Sequence, residues 1–290
     1  MVSKAFDYKA PGSVADAVAL LAGTPGARAL AGGQDLLNLL RLRRLEASVL
    51  VDLRNIAELK TISRISAPSE VIRIGAMATL STIEANPDIR KSAVAFYEAV
   101  ASVGDVATRN CSTLGGSISI SQPANDVLAA LLVLDAVVHV QGKFGARALS
   151  IAEFVAGDGS PAKGSGELVT AVDIPVSPLG VGSAYVKFVN VANLYPICGV
   201  AVSVWRDTDG RVKQARVAVT GAGSLSSRRD SLETWLVANG LPGAPVSEVI
   251  SVGECVSDLA ASAEYRSHLA DALATDAIKA AFARSGASGN

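Results

Sequence analysis

The sequence has little of what metal chemistry or a disulfide scaffold requires. Its 290 residues include only three cysteines, Cys111, Cys198 and Cys255, and two histidines, His139 and His268. Cysteines that are odd in number, isolated and widely spaced exclude a disulfide framework, a zinc site, or an iron–sulfur cluster held by this chain alone. Two distant histidines build neither a metal cluster nor a Ser/His/Asp or Cys/His arrangement for nucleophilic catalysis. No catalytic residue and no metal ligand is therefore assigned. An excess of one charge is missing as well: 26 Lys and Arg face 27 Asp and Glu. The two signs are interspersed, so no basic stripe marks a nucleic-acid partner. The densest positive cluster, RLRRLE at 41–46, reads as a solvated helix end.

Long hydrophobic runs are absent too. Half the residues are hydrophobic and the mean hydropathy is +0.37. Yet the longest apolar stretch, VLAALLVLDAVVHV at 127–140, is broken by Asp135 and His139 and is too short to cross a bilayer. No transmembrane segment is expected. The start, MVSKAFDYKAPGS, lacks the apolar centre and small-residue cleavage site of a signal peptide, and a cytoplasmic location is expected. Whatever chemistry occurs must come from a bound organic cofactor or from a partner.

What is present is an ordered series of short elements. Helix GSVADAVALLAG (12–23), capped by Ser13, is followed by strand ARALAGG (27–33), a short helix opened by Asp35, and strand SVLVDL (48–53). Two alternating strands within 58–79 flank the turn SAPSE, and helices are expected at 80–86 and 92–104. The run SISIS after Gly115-Gly116 alternates like a strand. A helix from Asp126 to Leu134, strand 136–142, helix 150–157 and strand 166–175 come next. Beyond VSPLGVG (176–182), three antiparallel strands precede two helices, 226–239 and 262–284, and a mobile tail. The segment VAVTGAGSLSSRR (217–229) carries Gly221 and Gly223 but has Ser226 where a third glycine belongs. It follows a hairpin and reads as a strand-to-helix connection, not a dinucleotide fingerprint.

Two glycine pairs stand at strand boundaries, in AGGQD (31–35) and TLGGS (113–117). Glycine lets a backbone approach a ligand closely, and successive amides make an anion-binding concavity. Two such loops would enclose a diphosphate from both sides, with hydroxyls of Thr113, Ser117, Ser119 and Ser121 donating to phosphate or sugar-alcohol oxygens. Asp126 reads either as a helix cap or as an acceptor for such hydroxyls.

AGGQDL, IGAMATLSTIE, TRNCSTLGGSISISQPANDVLAALLVLDA, GELVTAVDIP, KFVNVANLYPICGVAVSV and TGAGSLSSRR, in this order, cover nearly the whole chain. Together they resemble the FAD-binding medium subunit of molybdenum hydroxylases, the group of aerobic carbon monoxide dehydrogenase and xanthine dehydrogenase. The resemblance implies an α+β fold: a vanillyl-alcohol-oxidase (PCMH-type) FAD-binding domain over residues 1–176, in subdomains 1–57 and 58–176. A small C-terminal domain, 177–290, would hold a three-stranded antiparallel sheet and helices. It implies that Ala31, Gly32, Gly33, Gln34 and Asp35 hold the FAD diphosphate from one side and Thr113, Gly115, Gly116 and Ser117 from the other. Asp126 would bind ribityl hydroxyls, Leu168 would lie by the adenine, and Lys187 and Tyr195 would border the flavin ring.

Partners implied are a large molybdopterin subunit and a small subunit with 2Fe-2S clusters, as a dimer of heterotrimers. Electrons would pass from those clusters through FAD to an external acceptor. This sequence departs from the family pattern at Asp35, at Ser117 and at Leu194. A stand-alone flavin oxidoreductase of the same fold, or a scaffold subunit that has lost flavin, stays open at this point.

Overall fold

Helix α1 (Val14–Gly23) begins where the sequence places it, because Ser13 accepts a hydrogen bond from the Asp16 amide at 3.1 Å. Its inward residues Ala17, Val18 and Leu21 share a cluster with Val49, Val51, Met77 and Leu168. The computed structural model describes residues 4–120, 122–155, 162–164, 166–241 and 246–286. Ser121, expected to donate a hydroxyl, and residues 287–290 of the tail lie outside the described residues.

In chain order the first elements are β1 (Asp7–Lys9), α1 (Val14–Gly23), β2 (Ala27–Leu30), α2 (Leu36–Arg41) and β3 (Val49–Asp52). They are followed by β4 (Ile62–Ile65), β5 (Val71–Gly75), α3 (Leu80–Glu84), α4 (Pro87–Ser92) and α5 (Val94–Ala101). Next come α6 (Val106–Cys111), α7 (Leu114–Ile118), α8 (Asp126–Val133), β6 (Val137–Gly142), β7 (Gly145–Ser150), α9 (Ile151–Val155) and β8 (Leu168–Pro175). The last are β9 (Val181–Val189), β10 (Pro196–Arg206), β11 (Val212–Thr220), β12 (Ser227–Arg228), α10 (Asp230–Asn239) and α11 (Ala263–Arg284).

These elements form two units. The first comprises residues 1–83, 106–120 and 137–174; the second comprises 84–105, 121–136 and 175–290. By compactness, two upstream segments, 84–105 and 121–136, join the strands that follow residue 175.

The first unit holds two sheets. One is three-stranded and parallel, in the order β1-β3-β2. The other runs β4-β5-β8-β6-β7. Across its middle, Arg73 of β5 makes a two-pronged pair with Asp173 of β8, both contacts at 2.7 Å, and His139 of β6 reaches the same carboxylate at 2.8 Å. Burial alone would raise the Asp173 carboxyl, but Arg73 and His139 outweigh it and hold the group at about 2. Strand β7, an edge strand with most residues exposed, was not expected from the sequence, because a strand without a buried face has no alternation to display.

The second unit has one antiparallel sheet, ordered β12-β11-β10-β9. This corrects the expected three strands: the segment after TGAG forms the two-residue β12 before α10 begins, so that segment connects strand to strand. The first nine residues of β10 are buried without alternation. Such a run requires cover on both faces. Val200, Val202 and Val204 pack in a cluster with Leu236 of α10 and Ala270, Ala274 and Ala277 of α11. On the neighbouring register, Tyr185 pairs with Ala201 and reaches α8, and Ser183 accepts the Ala95 amide of α5.

SISIS is the main misreading. Residues 114–118 are helical: the Thr113 hydroxyl accepts from the Gly116 amide, and the Ser117 and Ser119 amides donate to the carbonyls of Thr113 and Gly115. Ser112 and Leu114 are fixed by backbone bonds to Leu80 and Ala78, so tertiary anchoring overrides the alternation.

Glu167, gripped by Arg147, is likewise lowered to about 2. In the unfolded chain such groups titrate near ~4, so on acidification the unfolded state takes up protons first. Their stabilisation is complete above the unfolded value and is lost as pH falls toward about 2. Arg73→Met should move this acid limb to higher pH in urea titrations stepped across that window. A limb that does not move would remove the Arg73–Asp173 pair from the account.

Candidate functional site

The two glycine loops meet. Residues Ala31, Gly32, Gly33, Gln34 and Asp35 line one cavity with Thr113, Gly115, Gly116, Ser117 and Ser119. The cavity, all within the first unit, has a volume of about 240 Å³. That is below the ~300–1,000 Å³ of whole-ligand pockets, and suits one portion of an extended cofactor. Leu168 lines it as well, together with Leu39, Leu45, Leu53 and Met77.

The loops contribute differently. In the first, Gly33 has φ +73°, a left-handed conformation that only glycine adopts freely. The amides of Gly32, Gly33 and Gln34 donate to no protein acceptor among the described residues. Three successive uncommitted amides are the backbone groups that an anion-binding concavity requires. Asp35 stands at the start of α2, as the sequence places it, and its side chain makes no cap hydrogen bond.

In the second loop the amides are spent on the protein. Gly115 donates to the Ala76 carbonyl at 2.8 Å and Gly116 to the Thr113 hydroxyl at 3.2 Å. Neither glycine has a positive φ. Their bareness serves packing: a Cβ on Gly115 would lie 2.6 Å from the Ala76 Cβ, and one on Gly32 would lie 2.1 Å from the Cys111 carbonyl oxygen. Gly116 is less enclosed, its nearest neighbours being the Thr113 hydroxyl at 3.0 Å and the Ala31 Cβ at 3.8 Å. A longer side chain there would grow into the cavity between the loops.

The remaining expected residues, Asp126, Lys187 and Tyr195, belong to the second unit. Asp126 is buried, with the Tyr185 hydroxyl donating to Oδ1 and Lys187 Nζ to Oδ2 at 3.2 Å. Burial pushes the Asp126 carboxyl up, against the pull of Lys187 and Tyr185; burial, then Asp126, pushes Tyr185 well above its ordinary value. Lys187 also donates to the carbonyls of Ser102 at 2.6 Å and Leu194 at 3.2 Å, and Leu194 has φ +62°. Tyr195 is 44% exposed, its amide held by the Asn193 side chain.

Residues 4–177 match the family model described as "FAD binding domain in molybdopterin dehydrogenase". The chain belongs to this family. Over 98% of its length it is 31% identical to the carbon monoxide dehydrogenase medium chain of Afipia carboxidovorans, covering 99% of that relative. The nicotine 6-hydroxylase medium subunit of Paenarthrobacter nicotinovorans is 31% identical over 97% of this chain and 98% of its own. Among solved structures, reconstituted CO dehydrogenase from Oligotropha carboxidovorans superposes with a TM-score of 0.91 at 30% identity, over 98% of this chain and 100% of that one. An FAD-binding oxidoreductase component is thereby established, and among the described residues no helix is long and apolar enough to cross a membrane.

The same cavity is also lined by Arg28, Met77, Lys163 and Glu167, which the sequence did not single out. Arg28 left one signal, a lone charge inside the apolar strand leading to the first glycine turn. Lys163 left none, lying in a Gly- and Ser-rich stretch without periodicity. Glu167 accepts two bonds from Arg147, at 2.9 and 2.7 Å, and one from the Gly164 amide at 2.6 Å.

Gly115→Ala should destabilise the chain by about 1–3 kcal/mol through overpacking against Ala76, read as a lowered urea midpoint. Lys187→Met should cost about 3–5 kcal/mol, because it strands a buried carboxylate. Pairing it with Asp126→Asn should recover part of that loss in the same titration. An equal loss in single and double variants would show that Asp126 and Lys187 do not act together.

Proposed function

We propose that this chain is the flavin-carrying electron-transfer subunit of a molybdenum-dependent hydroxylase or dehydrogenase. One observation carries the reading: two glycine loops far apart in sequence line a single cavity, and the first has three amides with no protein acceptor among the described residues. These residues suit the diphosphate of FAD. Ala31 to Asp35 would supply the amide face. Thr113, Gly115, Gly116 and Ser117 would supply a close wall without side-chain bulk, and Leu168 an apolar surface for the adenine. Asp126, Lys187 and Tyr195 would serve the ribityl chain and flavin ring.

When bound, FAD supplies the capacity to accept electrons from one carrier and release them to another. The chain's own residues orient the cofactor and exclude water from its diphosphate. No general base is needed, consistent with the shortage of histidine. Substrate oxidation would occur on a large molybdopterin subunit, and 2Fe-2S clusters on a small subunit would deliver electrons here. The three separated cysteines of this chain cannot ligate such clusters, so the ligands must come from elsewhere. A dimer of such heterotrimers, working in the cytoplasm, is the assembly proposed. The named relatives, a carbon monoxide dehydrogenase medium chain and a nicotine 6-hydroxylase medium subunit, support a place in a multi-subunit oxidoreductase.

Co-expression with the two partners should yield a complex with a flavin absorption spectrum and extractable FAD. Gly116→Val should abolish that spectrum while leaving assembly and circular dichroism unchanged. A colourless wild-type complex would overturn the proposal.

A further inference from the structure

Arg28 and Lys163 both line the cavity, and neither side chain makes an ion pair or hydrogen bond among the described residues. Among the described residues that line the cavity, two carry carboxylates, Asp35 and Glu167. Glu167 already accepts two bonds from Arg147 and one from the Gly164 amide. Among the described lining residues, the carboxylate of Glu167 is thus committed largely to Arg147 rather than to these two cations. Lys163 is half-buried, and its ammonium is lowered first by burial and then by Arg28, with Glu167 opposing. Holding two cations together at a partly dry, apolar-walled site is unfavourable unless an anion completes it. Gly32, Gly33 and Gln34, whose amides are uncommitted among the described residues, line the same cavity, and free amides favour the same charge.

We propose that Arg28 and Lys163 form a cationic clamp for the diphosphate of a nucleoside diphosphate, acting with the first glycine loop. The leucines of the cavity, Leu39, Leu45 and Leu53, give its base an apolar surface. This inference rests on the FAD reading of the cavity and deepens it. The charge that recognises the diphosphate comes from two residues outside both glycine motifs, and the second glycine pair contributes shape alone. Recognition through the adenylate end means that ADP by itself should occupy the site.

The test uses the full chain stripped of flavin, titrated calorimetrically with FAD, ADP and inorganic diphosphate at low and high salt. ADP should bind, compete with FAD and weaken as salt rises. Lys163→Met and Arg28→Met should each weaken ADP and FAD by about tenfold to a hundredfold, as expected for loss of a charged hydrogen bond. Lys163→Arg should restore most of the affinity, and unchanged thermal midpoints would exclude misfolding as the cause. If the Met variants bind ADP and FAD like the wild type, the clamp is overturned while the FAD reading stands. If the wild type binds ADP in a Lys163-dependent manner but not FAD, the clamp stands and the FAD reading falls. Failure of the wild type to bind any of the three overturns both.

Discussion

Backbone meeting backbone, with no side chain between, is the constraint on which the cavity depends. Gly32 lies so close to the Cys111 carbonyl, and Gly115 so close to Ala76, that one methyl group on either would force the loops apart. The hydrogen bonds that lock this approach run from Leu114 to Ala78, from Gly115 to Ala76 and from Leu80 to Ser112. The second loop spends its amides on this brace, which leaves the first free to present its own. One motif thus holds position while the other carries the polar groups.

The second unit relies on a different arrangement. Its central strand is buried on both faces, and within the layer that includes α8 the polar atoms are organised around Asp126, Tyr185 and Lys187. A carboxylate, a phenol and an ammonium sealed together are marginal as a source of stability but costly to disturb singly. Lys187 also binds the Leu194 carbonyl, in a residue whose left-handed backbone is unfavourable for a branched side chain. Buried charge here fixes backbone geometry in the turn between β9 and β10.

The sequence displayed its elements well wherever burial was one-sided. Helix α1 showed its cap and its inward stripe; β9 to β11 showed their order and hairpin as well, although β10 is buried on both faces. The family followed from motif order along the chain. What stayed hidden had physical reasons. Strand β7 buries too little to show a period. SISIS has a strand's alternation, but its first two residues, Ser117 and Ile118, end a helix held by contacts far away in sequence. For the site, the glycine pairs announced a close approach but not the division of labour between them, because amide commitments are tertiary. Asp126 and Lys187 stood out by type, whereas their mutual pairing with Tyr185 is invisible without coordinates. Lys163 has no local pattern at all.

The way each unit draws on separate stretches of chain bears on biogenesis. Helices α5 and α8 are made early yet cover a sheet whose strands begin at Val181, and the five-stranded sheet waits for β8. During synthesis neither unit can close when its first segment leaves the ribosome; apolar helices must be held until their strands arrive. Loop-closure entropy across these long intervals slows that step. For the same reason the gene cannot be cut once to exchange its halves, since every transplant would have to carry three interleaved pieces.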